Sequence, residues 1–307
     1  MKIIVASTTP AKWVDPLAAA LPDATVLPWR DDDAALEADV AVVWRPPAAL
    51  FTRERKLKAI FNLGAGVDGL LQLATLPDDV PIVRLEDAGM AVQMAEYAAY
   101  ALVRASRQFD AYERQQRDGV WRDLPETRRA DWPVGVLGLG VMGARVAQTL
   151  AALDYPVAGW SRSPRELGGI QTYAGEAGFG AFLARTRVLV NLLPLTDETR
   201  DILRYDTLKQ LLPGAYLINM GRGEHLVEED LLALIDAGHM AGATLDVFRS
   251  EPLPAGHRFW TDARVTVTPH IAAISLRQNT VDQIAAKIRA MQAGEPLTGV
   301  VSRERGY

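Results

Sequence analysis

Apolar residues in this chain fall in short unbroken runs rather than in alternation with polar ones. Runs rich in Val, Ile and Leu occupy residues 3–6, 40–44, 60–63, 134–137, 157–160, 188–192, 216–219, 243–246 and 265–268. Such runs mark strands buried on both faces of a parallel sheet. Longer stretches with helical periodicity lie between them, for example 143–153 and 228–237. The βαβαβ pattern occurs twice over, which predicts an α/β protein.

One stretch departs from that rhythm. Residues 91–118, AVQMAEYAAYALVRASRQFDAYERQQRD, hold neither Pro nor Gly and read as one long helix ending at Gly119. A helix of that length can carry the chain from one domain into another. Residues 121–133, rich in Trp, Pro and Arg, then form the connection. A last helical segment over 276–293 follows the final strand. With 307 residues, 49% of them hydrophobic, two domains are expected.

The segment VGVLGLGVMGARVAQTL reads as strand, G-x-G-x-x-G turn and helix. Gly138 allows the tight turn, Gly140 lets the backbone approach a pyrophosphate, and Gly143 lets the new helix pack on the strand. The helix N-terminus offers free N–H groups to phosphates. About twenty residues on, a carboxylate usually grips the ribose 2′-hydroxyl of NAD. This chain has Ser161, Arg162 and Ser163 there. Nothing in that trio repels a 2′-phosphate, and Arg162, with Arg165 nearby, can pair with one. NADP is therefore expected over NAD. Ser163 to Glu166 also reads as a helix cap with Pro164 in the first turn.

Composition removes several alternatives. There is no cysteine, so disulfides, thiolate metal sites and cysteine nucleophiles are excluded. The four histidines lack metal-ligand spacing, and no metal is expected. A net charge of -5 favours no nucleic-acid partner. No apolar run approaches the ~18 residues of a membrane span. A soluble cytoplasmic protein is expected.

Three further stretches each follow a candidate strand of the same half as the glycine turn: INMGRGEHLVEEDLL, LDVFRSEPLP and TPHIAA. Ligands of open α/β sheets sit beyond the carboxyl ends of the strands. Arg222, Asp246, Glu251 and His270 are thus brought towards one crevice. Arg222 can bind the carboxylate and carbonyl oxygens of a 2-oxo acid. His270 can protonate the carbonyl oxygen as hydride reaches carbon, and Glu251 can orient the imidazole and stabilise its charged form. His225, His239 and His257 are read as structural histidines.

With NLGAGVDGL, GLGVMG, LLPLTDET, NMGRGEHLVEEDLL, LDVFRSEP and TPHIAA in place, the sequence resembles the D-2-hydroxyacid dehydrogenase family. VVWRPP, RLEDAGMAVQMAEY, WSRS and the terminal RGY resemble its branch of glyoxylate and hydroxypyruvate reductases, so the likeness covers nearly the whole chain. It implies NADPH-dependent reduction of glyoxylate or hydroxypyruvate. It places the catalytic roles on Arg222, Glu251 and His270. It places substrate contacts on Trp44, Ala65 and Gly66, in the loop that continues through Val67 and Asp68, and again on Arg222. Cofactor contacts are implied at Met94, Gly138, Gly140, Val141, Met142, Gly143, Ser161, Arg162, Ser163, Leu193, Pro194, Met220, Gly221, Asp246 and Ala272. For Trp44 a core position at a strand end is the competing reading. The family also implies two Rossmann-like domains with doubly wound parallel sheets. On that resemblance a substrate domain of residues 1–97 and 280–307 is expected to be interrupted by a cofactor domain of residues 98–279, and a homodimer joined through the latter is expected. The rival activities are a broader D-2-hydroxyacid dehydrogenase of the phenylpyruvate or phosphoglycerate type and a non-catalytic NADP sensor.

Overall fold

The chain begins on a strand whose apolar residues are wholly enclosed, β1 (Lys2–Ala6), and continues through α1 (Ala11–Ala20), β2 (Thr25–Pro28), β3 (Val40–Val43), α2 (Ala49–Arg53), β4 (Ala59–Asn62), α3 (Asp68–Leu71) and β5 (Ile82–Val83). Then come α4 (Met90–Ser106), α5 (Phe109–Arg117), β6 (Val134–Leu137), α6 (Val141–Ala152), β7 (Val157–Ser161), β8 (Gln171–Ala174) and α7 (Gly175–Ala184). The remaining elements are β9 (Val188–Asn191), α8 (Tyr205–Leu208), β10 (Ala215–Asn219), α9 (Glu228–Asp236), β11 (Met240–Leu245), β12 (Val265–Val267) and α10 (Arg277–Gln292). This is a computed structural model, and residues 1–32 and 34–307 are described.

Met1–Gly89 and Ser275–Tyr307 make one unit, and Met90–Ile274 the other. The division falls just before α4 and just before α10, earlier along the chain at both crossings than positions 97/98 and 279/280.

The first unit carries a parallel sheet in the order β2-β1-β3-β4-β5. Residues of β1, β3 and β4 form its core with Leu50 and Phe51 of α2. The returning segment is stitched to β5: the Val301 N–H donates to Ile82 O at 2.8 Å, and Lys287 Nζ of α10 donates to Arg84 O at 2.9 Å.

The second unit has a seven-stranded parallel sheet, β12-β11-β10-β9-β6-β7-β8. Strand order reverses between β6 and β9, the switch point where doubly wound sheets bind ligands. Period-two alternation divides the strand residues between two cores. Val134, Val136, Val188, Val190, Tyr216 and Ile218 face α4 and α6. Leu137, Leu189, Leu217 and Leu245 face α7, α8 and α9. Each fully buried side chain of this kind contributes about 1.5–3 kcal/mol. Ala95, Ala98, Ala101 and Leu102 give α4 an apolar stripe at helical spacing that packs against Val146, Ala147 and Leu150 of α6.

Two expectations are corrected. The stretch 91–118 is not one helix: α4 stops at Ser106, Gln108 adopts φ 55°, and α5 starts at Phe109. Side chains on both sides hold the break. The Ser106 hydroxyl pairs with Tyr155 Oη at 2.7 Å, and Arg104 reaches across to Glu113 at 2.8 Å. Nor does SRSPRE open a helix. Residues 162–166 are irregular, a short turn bridges Leu167 to Ile170, and β8 follows. The Ser161 hydroxyl, which ends β7, donates instead to Ser163 O at 2.8 Å.

Candidate functional site

All the loops beyond the carboxyl ends of β6, β7, β9, β10, β11 and β12 carry residues singled out by the sequence. Gly138, in the first, has φ 92°, open to glycine and strained for other residues. A Cβ on Gly143 would stand 1.7 Å from Gly138 O, so helix α6 can start where it does only with glycine there. Around Gly140 nothing lies within 4 Å of a built Cβ. That open space, at the N-terminus of a twelve-residue helix, fits a pyrophosphate. Val141 is exposed and Met142 half-buried in the first turn.

Beyond β7, Ser161 is nearly buried and spends its hydroxyl on shaping the loop. Arg165 donates to Leu139 O at 3.2 Å, which ties this loop to the glycine turn. Arg162 lies on the surface, 3.6 Å from Glu198. Ser163 is exposed beside it.

Beyond β12, the chain is arranged around one carboxylate. Asp246, 1% exposed, accepts the Thr268 hydroxyl (2.6 Å) and the Ile271 N–H (2.8 Å) at Oδ1, and the Ala272 N–H (2.8 Å) at Oδ2. Its backbone carbonyl accepts the His270 N–H at 2.9 Å. Because Thr268 gives its only hydroxyl hydrogen to Asp246, Tyr97 Oη of α4 must donate to Thr268 Oγ1, at 2.6 Å. Burial pushes the Tyr97 phenol well above its ordinary range, which keeps that donor protonated. These bonds hold His270 at φ 55°, an uncommon conformation for a residue with a Cβ. Its Nδ1 lies 2.9 Å from Glu251 Oε2, and Glu251 Oε1 accepts the Phe248 N–H at 3.1 Å. Both side chains keep solvent access, at 41% and 33%. With Nδ1 turned to a carboxylate, Nε2 is the ring atom left for other contacts.

Arg222 follows β10, half-buried, with Nη1 donating to Gly221 O at 2.8 Å. Met220 and Gly221 are enclosed, as is Leu193. Met94, Met220 and Ala272 join one apolar cluster with Leu139 of the glycine turn. Pro194 presents its carbonyl to His225.

The first unit contributes separately. Trp44 is 36% exposed, so the core reading does not hold; its ring covers Gly64, where a Cβ would stand 2.3 Å from it. Asn62, buried, donates to Gly64 O (3.0 Å) and Gly66 O (2.8 Å), fixing the loop by its carbonyls. Among the described residues, the Ala65 and Gly66 N–H groups meet no acceptor.

Sequence reasoning passed over Tyr97, Thr268, Asn62, Asn191 and Asn219. A signal for three of them was present: Asn62, Asn191 and Asn219 each end an otherwise apolar strand. A polar side chain there has only the next loop to bond.

Among the described residues, no helix is long and apolar enough to cross a membrane, and no group of acidic residues and histidines could hold a metal ion.

Residues 99–272 match the family described as D-isomer specific 2-hydroxyacid dehydrogenase, NAD binding domain. The chain is 48% identical over 301 residues to a glyoxylate/hydroxypyruvate reductase A of Serratia proteamaculans, covering 96% of each. It is similar to the crystal structure of a D-isomer specific 2-hydroxyacid dehydrogenase from Xanthobacter autotrophicus in complex with NADPH and MES (TM-score 0.94, 39% identity, 100% of this chain and 99% of that one). The same figures describe its likeness to an NADPH-dependent glyoxylate/hydroxypyruvate reductase from Sinorhizobium meliloti in complex with NADP and sulfate.

Proposed function

The chain belongs to the D-isomer specific 2-hydroxyacid dehydrogenase family, and from that premise we propose that it reduces glyoxylate and hydroxypyruvate with NADPH through Arg222, Glu251 and His270. It is an NADP-dependent oxidoreductase. The observation that carries the residue roles is the His270–Glu251 pair at 2.9 Å, set on the same sheet edge as the glycine turn and Arg222.

When bound, NADPH supplies the hydride that the substrate C2 receives. Gly140 and the α6 N-terminus would hold its pyrophosphate, and Arg162 and Ser163 its 2′-phosphate. Arg222 pairs with the substrate carboxylate. His270 gives its Nε2 proton to the C2 oxygen, and Glu251 holds the ring in the orientation that aims Nε2 at the substrate. In the first unit, Ala65 and Gly66 offer N–H groups to a carboxylate, and Trp44 lines that loop. Asp246 acts from beneath, by shaping the loop that bears His270.

We further assign the protein to the cytoplasm and to a homodimer. Support for the dimer comes from α5, which buries none of its residues, and from Val120 and Trp121 beyond it, at 46% and 99% exposure. A monomer mass by sedimentation at micromolar concentration would overturn it.

The test of activity is NADPH and NADH consumption with glyoxylate, hydroxypyruvate and phenylpyruvate. Fast turnover of the two small acids with NADPH is expected. Preference for phenylpyruvate would give the broader dehydrogenase, and NADPH binding without any turnover a sensor.

A further inference from the structure

His225 is 0% exposed and stands three residues after Arg222, in the 3-10 turn Gly223–His225. Its Nδ1 lies 3.0 Å from the Arg222 N–H and 3.0 Å from Asn191 Nδ2, and its Nε2 lies 3.2 Å from Pro194 O. Backbone groups decide every proton in this cluster. The Leu193 N–H must donate to Asn191 Oδ1 (3.2 Å) and the Gly221 N–H to Asn219 Oδ1 (3.2 Å), so neither carboxamide can be turned over. Asn191 Nδ2 then has two hydrogens, one for Asn219 Oδ1 at 2.9 Å and one for the imidazole. The Arg222 N–H is likewise a donor. Nδ1 is therefore bare, and the ring's single proton sits on Nε2, aimed at Pro194 O.

The ring spans two loops. Asn191 ends β9 and Pro194 lies in the loop after it, while Arg222 lies in the loop after β10. The Arg222 backbone is held at both polar atoms: its N–H by His225, and its carbonyl by Asn219 Nδ2 at 3.2 Å. Glycine on either side of Arg222 makes room for this. A Cβ on Gly221 would stand 2.8 Å from Asn191 Nδ2 and 2.9 Å from His225 Nδ1; one on Gly223 would stand 1.8 Å from the Phe248 carbonyl carbon.

We propose that His225 is a positioning residue that couples Arg222 to the Leu193–Pro194 loop, with one neutral tautomer serving both. This rests on the reading of Arg222 as the ligand of the substrate carboxylate and of Leu193 and Pro194 as part of the cofactor wall. Two near-isosteres separate the ring's two edges. His225→Gln keeps a donor for Pro194 O and removes the acceptor for the Arg222 N–H. His225→Asn keeps that acceptor and removes the donor.

With His225→Gln, the Michaelis constant for the 2-oxo acid rises about tenfold, the effect of one buried donor left unsatisfied, while the NADPH dissociation constant from fluorescence titration stays within about twofold. With His225→Asn, the larger loss falls on NADPH. Long-range proton–nitrogen spectra of the wild-type protein show the His225 ring protonated at Nε2 alone. A common change in both constants for both variants, no change in either, or a different tautomer overturns the proposal. Failure of the Arg222 reading shows itself separately, as an Arg222→Ala variant with an unaltered Michaelis constant; the NADPH affinity of His225→Asn and the tautomer still decide on His225.

Discussion

Glu251 binds His270 with one carboxylate oxygen and its own loop with the other: Oε2 lies 2.9 Å from His270 Nδ1, and Oε1 accepts the Phe248 N–H at 3.1 Å. A short loop carboxylate thereby fixes the direction of an imidazole that still reaches solvent. His270→Ala lowers kcat by on the order of 10²–10⁴, the usual worth of a positioned acid, with NADPH affinity within a few-fold. Glu251→Gln keeps the shape but removes the charge and turns one of the two acceptors into a donor, and its loss of kcat is smaller than that of His270→Ala because the imidazole itself remains. Steady-state kinetics and fluorescence titration check both, and normal turnover by the alanine variant would sink the mechanism.

Arg162 shares its neighbourhood with Glu198, 3.6 Å away on the surface. Arg162→Ala is expected to raise the Michaelis constant for NADPH by roughly 10- to 100-fold, as for a lost charged hydrogen bond, and to leave that for NADH nearly unchanged. Glu198→Gln removes a competitor for the guanidinium and lowers the NADPH constant modestly. Equal effects of Arg162→Ala on the two cofactors would return the arginine to plain surface.

Asp246 takes three hydrogen bonds from the loop that carries His270. Asn at this position turns one acceptor into a donor facing an N–H or hydroxyl donor. Asp246→Asn therefore costs about 1–3 kcal/mol of stability in urea titration and lowers kcat in the folded protein. A variant with full kcat would show that the loop holds itself.

Asp262 lies between Arg264 and Arg258, and the Arg264 hydrogen bond does most to hold its carboxyl down, at about 2. A depressed acid contributes stability that is fully present above its unfolded value, near 4, and is lost as pH falls through the folded one. The denaturation midpoint of Asp262→Asn should thus lie below the wild type at neutral pH. The gap should close as pH falls from about 4 towards 2. A gap independent of pH would place the effect in packing.

Interior strands were legible in the sequence because burial on two faces writes an unbroken apolar run, as at β6, β9 and β10. Strands β2, β5 and β8 were not, for they lie at sheet edges or are very short; β8, QTYA, buries none of its residues fully. The break at Gln108 carries no Pro or Gly to announce it; Tyr155, 49 positions beyond Ser106, and the pairing of Arg104 with Glu113 across the bend hold it. Arg222, Glu251 and His270 stood out because their residue types suit the proposed chemistry and each follows a strand. His225 did not, because the role proposed for it depends on Asn191 and Pro194, some thirty positions away.

The adjacency of Ala88 and Leu276, joined by a 3.1 Å backbone hydrogen bond, has a consequence for biosynthesis. The Glu86 N–H meets Gln283 and the Arg84 carbonyl meets Lys287, pairings 197 and 203 residues apart in sequence. A ribosome that has released the second unit has delivered a continuous stretch, ready to fold. The first unit, though begun earlier, must wait for the last segment to emerge before its sheet is covered. Synthesis from the amino end thus completes the nucleotide-binding half first, and the half that starts the chain finishes last.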